Sequence, residues 1–194
     1  MNAGRNIIIA VLMTVTTTLL LGIAYPLLVT ALAQAIFPDK ANGQLIVRDG
    51  RLVGSQIIGQ WFLSPQYFHG RPSAAGNGYD AANSGGSNSG PTNKKFVDAV
   101  GQRVASARRD NPSAAVPIDL VTSSASGLDP HISAAAALFQ VPRIAAARHV
   151  SESDIRRLLD RHIEKRQLGF LGEPRVNVLV LNLALDDEYR EAKR

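Results

Sequence analysis

Residues 7–37 read IIIAVLMTVTTTLLLGIAYPLLVTALAQAIF, from Ile7 to Phe37, without one charged side chain. A helix needs about 20 apolar residues to cross a hydrocarbon core of roughly 30 Å, and this run exceeds that. Everything after Asp39 is polar enough to fold in water. The chain therefore reads as a single N-terminal transmembrane anchor, 1–38, followed by one soluble domain, 39–194. Two other readings compete. Ala31-Leu32-Ala33 looks like the small-residue site of a cleaved secretory signal, but signal h-regions span only about 7–15 residues. A buried core helix of about 30 uncharged residues would suit few soluble folds. A retained anchor is the expectation.

The anchor carries an internal pattern. Ala10, Thr14, Thr18, Gly22, Pro26 and Thr30 recur every fourth residue, and Gln34 extends the row. In lipid, helices associate through close approach at small residues and through hydroxyl contacts. Thr14, Thr18, Gly22, Pro26 and Thr30 are thus candidates for packing against other spans, although Thr and Gly are also ordinary in membrane helices. Pro26 removes one backbone bond and is expected to kink the span. Arg5 flanks one end, while Lys40, Arg48 and Arg51 follow the other. A plain count of these charges would keep the domain in the cytoplasm; because long domains translocate largely regardless of charge, the amino-terminal flank favours outside.

Beyond the anchor, roughly 155 residues suffice for one ordinary domain with its own core. There is no cysteine, hence no disulfide and no thiolate zinc site. Net charge is +5, but acidic residues are interspersed and no basic block alternates with aromatics, which argues against nucleic-acid binding. Gln44–Arg48 and Arg51–Val53 flank Asp49-Gly50, a pair that tolerates the positive φ angles of a type I′ hairpin. Trp61, Phe62, Tyr67 and Phe68 form an aromatic cluster expected to pack where the hairpin meets the domain. From His69 to Asn93 the chain turns to Gly, Ser, Asn, Ala and Pro with no period. Within this loop, Ser84-Gly85-Gly86-Ser87-Asn88 can present consecutive amides to an anion or simply form a flexible surface loop.

The helical period then returns. Asn93 caps an expected helix through about Arg109, with Val97, Val100 and Val104 on one face. Ile118 to Val121 suggests a short buried strand. Ser133 opens an Ala-rich helix expected to stop near Pro142. Ser151 with Asp154 starts a helix through about Gln167, with Ile155, Leu158, Leu159 and Ile163 inward. The near-continuous apolar run Arg175–Leu185 suggests a central strand. Helices and strands mix without a strict βαβ repeat, so the fold class is α+β, a mixed α/β soluble domain behind one span.

Catalytic signatures are scarce. There is no phosphate-loop motif, no Gly-x-Ser-x-Gly elbow and no His-Glu-x-x-His helix. Asp119, Asp129 and His131 cluster around a Ser-rich turn and can ligate a metal or orient Ser126; Asp before Pro is equally a standard turn opener. The turn reading is preferred, leaving no catalytic residue and no metal site. Asn177 and Asn182 are expected to bond neighbouring backbone.

An ordered set of segments carries a resemblance. Gly54-Ser55-Gln56, Gly59-Gln60, Tyr67-Phe68, Gly70-Arg71-Pro72-Ser73 and Ser84–Asn88 come first. Asp119–Thr122, Ser126–Ser133, Gln140–Arg143 and Val176–Leu179 follow. Preceded by one span, this set resembles the C subunit of the bacterial Kdp potassium-transporting P-type ATPase over nearly the whole chain. Departures are Ser89, where an apolar residue is expected, and Ser124-Ala125, where the family more often has Ala-Ser or Ser-Gly.

The resemblance implies an accessory subunit of a high-affinity uptake complex in the cytoplasmic (inner) membrane, its domain periplasmic. It implies three partners: a channel-like potassium-binding subunit, a P-type ATPase subunit phosphorylated on Asp, and a small single-span subunit. It also implies possible ATP contact shared with the catalytic subunit, through Ser84, Gly85, Gly86, Ser87 and Asn88. That stretch is compared with an ABC-transporter signature, whose Leu and Gln are missing here. An external loop cannot touch cytosolic ATP, so capping of the external ion entrance and direct nucleotide contact are separate mechanisms. Outside the family, a stand-alone anchored binding module is the main alternative, and an anchored hydrolase the next.

Overall fold

The computed structural model describes residues 2–189, which fall into two compact units dividing after Leu45. In the first unit, α1 (Ala3–Thr17), a π-helical segment (Thr18–Ala24) and α2 (Tyr25–Ile36) join into one apolar helix, Ala3–Ile36. None of its residues is buried, as a span meant for lipid or other helices requires. The π segment explains how Pro26 is accommodated. A proline ring collides with the carbonyl four residues back, and a wider turn moves that carbonyl away. The Tyr25 amide accordingly bonds the Leu20 carbonyl, five residues back. A short helix, α3 (Pro38–Ala41), follows the span.

The hairpin expected at Asp49-Gly50 forms from β1 (Leu45–Arg48) and β2 (Arg51–Ser55), with φ of +50° and +72° at the two turn residues. No helix or strand then occurs until α4 (Lys94–Asp110), which Asn93 caps by accepting the amides of Lys95 and Phe96. Val97 on this helix is exposed, whereas Val100 and Val104 are half-buried, so the expected valine face is only partly the inward one. The core lies further on, in α5 (Ala134–Arg148), α6 (Glu152–Arg161) and α7 (Val178–Glu188), packed on an antiparallel sheet of order β3-β5-β4. The strands are β3 (His131–Ser133), β4 (Ile163–Glu164) and β5 (Arg175–Asn177). Central Val176 pairs with both Ile132 and Ile163. Phe68, Ile144, Ile155, Leu159, Leu181 and Leu185 are fully buried in this core.

Four expected elements differ. Ile118–Leu120 is a 3₁₀ turn with Ile118 70 % exposed, because Pro117 enters it in extended geometry and, among the described residues, no strand pairs with it. The Ala-rich helix runs through Pro142 to Arg148, since Val141, Ile144 and Ala145 are buried around the proline. One missing bond, to the carbonyl of half-exposed Leu138, is the cost, and packing on both sides of it outweighs that. The next helix stops at Arg161, not Gln167: Ile163 leaves to pair with Val176. Finally, the run after Arg175 is a three-residue strand and then a helix. Continuous apolarity does not separate a buried strand from a buried helix, and Asn177 decides it by accepting the Val180 amide as a cap.

Candidate functional site

The Gly/Ser/Asn loop is wired to the domain at many points. Ser73 Oγ donates to the Gly127 carbonyl at 2.6 Å and accepts the Tyr79 amide at 2.7 Å. The Tyr79 hydroxyl donates to the Arg71 carbonyl at 2.6 Å, and burial pushes its pKa up to about 12, keeping it a donor. Trp61 stands edge-on to Tyr79 and donates to the Gly78 carbonyl at 3.1 Å. Further along, Ser84 Oγ and the Gly85 amide both donate to the Ser126 carbonyl, at 3.0 and 2.9 Å. Two glycines permit this approach. A Cβ on Gly86 would sit 2.9 Å from the Ala125 carbonyl oxygen, and one on Gly127 would sit 2.6 Å from the Ala75 amide and the Gly85 carbonyl.

Arg71 ties the same region together, and sequence reading did not single it out for that role. Its guanidinium donates to the Thr122 and Ser123 carbonyls and lies 3.7 Å from Asp129. Only its place in the Gly-Arg-Pro-Ser segment hinted at importance.

Asp119 and Asp129 have a shared task. β3 is an edge strand whose pairing with β5 is taken up by Ile132, flanked by the Val178 amide donating to the Pro130 carbonyl. The amides of His131 and Ser133 therefore point away from the sheet. Asp129 Oδ1 accepts the first at 3.0 Å and Asp119 Oδ2 accepts the second at 2.7 Å. Two carboxylates thus cap the open edge, a position that otherwise invites another strand. Burial raises the Asp129 pKa, but its bonds and charge contact with His131, helped by Arg71, outweigh this and hold it below the usual carboxylate value. His131 lies between Asp129 (3.4 Å) and Glu164 (3.7 Å) in a cleft of about 490 Å³. The Ser126 hydroxyl accepts the Leu128 amide and, among the described residues, makes no bond to His131. No group of three His, Cys, Asp or Glu among the described residues is arranged to hold a metal.

On the span, every residue of the Thr14, Thr18, Gly22, Pro26 and Thr30 row is exposed. A row spaced by four gains about 40° per step on an α-helix of 3.6 residues per turn. Over the π segment the turn is wider and the drift reverses, which keeps Thr14 through Pro26 closer to one line. Thr14 Oγ1 already donates to the Ala10 carbonyl.

One helix long and apolar enough to cross a membrane thus precedes a small mixed domain in which Asp119 and Asp129 bond the domain's own backbone amides. Residues 7–187 match the family described as KdpC: K+-transporting ATPase, c chain. Similar proteins include the potassium-transporting ATPase KdpC subunit of Koribacter versatilis (strain Ellin345), 60 % identical over 182 residues and 94 % of each chain. The KdpC subunit of Rhodopseudomonas palustris (strain BisB18) is 56 % identical, covering 91 % of this chain and 95 % of its own. That of Caulobacter vibrioides (strain NA1000 / CB15N) is 57 % identical, covering 89 % and 88 %. The chain belongs to the KdpC family and is a subunit of a potassium-transporting ATPase.

Proposed function

We propose that this chain is the accessory, non-phosphorylated subunit of the potassium uptake complex and has no catalytic centre of its own. It supports assembly and ATP-coupled transport, docking through its span and holding its domain on the periplasmic side, over the external ion entrance of a channel-like potassium-binding subunit. A P-type catalytic subunit and a small single-span subunit complete the set of partners. The observation that carries this reading is the use of Asp119 and Asp129 to cap β3, which gives both carboxylates of the Asp119, Asp129 and His131 cluster a structural task.

A second reading, contact of Ser84–Asn88 with ATP shared with the catalytic subunit, has one observation in its favour. Gly85 spends its amide on Ser126, but among the described residues the amides of Gly86, Ser87 and Asn88 have no protein acceptor, and Asn88 has a left-handed φ of +49°. The side of the membrane separates the two. In a Ser87→Cys chain, assembled with its partners, a membrane-impermeant maleimide is expected to label intact spheroplasts. Labelling only after lysis would overturn the external cap and make nucleotide contact the leading reading.

A further inference from the structure

We infer that the turn between β4 and β5, Leu168-Gly169-Phe170-Leu171, is a docking knuckle that seats in an apolar socket edged by an acidic group on another protein of the same complex. The inference rests on the accessory-subunit reading above and adds to it a named surface.

Two turns of the chain share a left-handed φ at two successive residues. Asp49-Gly50 has φ of +50° and +72°, and Leu168-Gly169 has +52° and +84°. The first uses residues that tolerate the left-handed region; the second places a leucine there, a conformation that its Cβ opposes. Nothing in the fold rewards that choice, because Leu168 is 84 % exposed, with Phe170 at 68 % and Leu171 at 48 %. A strained, solvent-facing leucine beside an exposed phenylalanine is what an anchor for a partner looks like.

The knuckle is also held rigid. Gln167 and Leu171 exchange two backbone bonds of 2.9 Å, and Phe170 donates to the Gln167 carbonyl at 3.2 Å. Ion pairs brace the base, Arg166 to Glu173 at 2.6 Å and Arg175 to Glu164 at 3.0 Å. A preformed protrusion loses little freedom on docking.

Charge and area choose the occupant. The two ion pairs cancel, and Lys165, three residues before Leu168, is exposed, so the complementary surface is apolar with an acidic lip. An anionic lipid surface would draw instead on several unpaired cations. Three side chains offer a few hundred Å² at most, short of the roughly 1,200 Å² that a free-standing pair needs. So small a contact suits a chain already held at its partners by its span, where effective concentration replaces area.

The absence of cysteine supplies the test. Leu168→Cys is labelled with a water-soluble maleimide in three settings: the full chain alone in detergent, the chain alone in liposomes, and the assembled complex. Labelling is expected to be fast in the first two and slower by about tenfold or more in the complex, as for a buried anchor. A folded Leu168→Cys chain that no longer co-purifies with its partners also supports the inference. Leu168→Asn, which suits the turn and removes the apolar tip, is expected to raise or preserve the melting temperature while lowering potassium uptake. Equal labelling in the assembled complex overturns the inference, and protection in liposomes alone overturns it in favour of lipid. Failure of the wild-type chain to co-purify at all would overturn the accessory-subunit reading as well.

Discussion

Asn182 on α7 is 1 % exposed, and both ends of its amide bond one residue of the long irregular segment. Its Oδ1 accepts the Phe68 amide at 2.8 Å and its Nδ2 donates to the Phe68 carbonyl at 2.9 Å. A side chain here performs the pairing that a neighbouring strand would otherwise supply, and it fixes a phenylalanine that is itself fully buried. Asn182→Leu keeps the branching and the number of heavy atoms and removes both bonds. Two buried main-chain groups left unpaired cost about 1–3 kcal/mol each. Burial of the new apolar side chain offsets part of this, about 1.5–3 kcal/mol. The net loss is then about 2 kcal/mol, or roughly 4–8 °C in Tm for a unit of this size. Trp61 is the single tryptophan of the chain and belongs to the second unit, so its fluorescence in a urea titration follows that unit even with the span in detergent. An unchanged urea midpoint would refute the reasoning, since the Phe68 segment would then be held by something other than the Asn182 amide.

Gly127→Ala places a Cβ 2.6 Å from two backbone atoms at a φ of +66°, and is expected to cost about 2–4 kcal/mol by the same titration. Gly85→Ala, with nothing within 4 Å of the new atom, is expected to be close to neutral. His69 titrates below its usual value because burial, and then the Arg143 charge, disfavour its protonated form. Its neutral form therefore contributes stability that is fully present above about pH 6.5 and is lost as pH falls through the lowered folded value. The urea midpoint is expected to drop between pH 7.5 and 5, and His69→Gln to flatten that drop. A Cβ on Gly22 meets only Thr18 Cγ2, at 3.7 Å, so Gly22→Leu is expected to preserve the helix itself. Recovery of the chain with its partners is nonetheless expected to fall by about tenfold, the loss of one close helix crossing.

Elements marked by their own side chains were legible in the sequence. The span, the Asp49-Gly50 hairpin, the Asn93 cap and the Ser151 start of α6 all stand where their residues placed them. Two of the errors share one cause, the overriding of a local signal by packing. Pro142 should end a helix, yet buried neighbours carry the helix through it. Ile163 continues the α6 period, yet Val176 offers it a strand. A third has a local cause: the apolar run after Arg175 contains no breaker, and Asn177, the last residue of β5, also caps α7.

The candidate site was legible in its parts but not in their use. Asp119, Asp129 and His131 were recognised as a cluster, and the structure does bring them together in one cleft. Their purpose depends on which amides of β3 face outward, and that follows from a pairing between residues more than forty positions apart, which no local pattern encodes. The turn at Leu168 shows the reverse case. The sequence predicts a helix through about Gln167, just short of this turn, whereas the informative residue is the leucine that follows, in a place where asparagine or aspartate would be easier. Exposure and strain are invisible in a string of residues until a second turn with left-handed φ at two successive residues, Asp49-Gly50, shows what an unstrained choice looks like. A side chain that its own fold does not need has to be explained by a surface outside that fold.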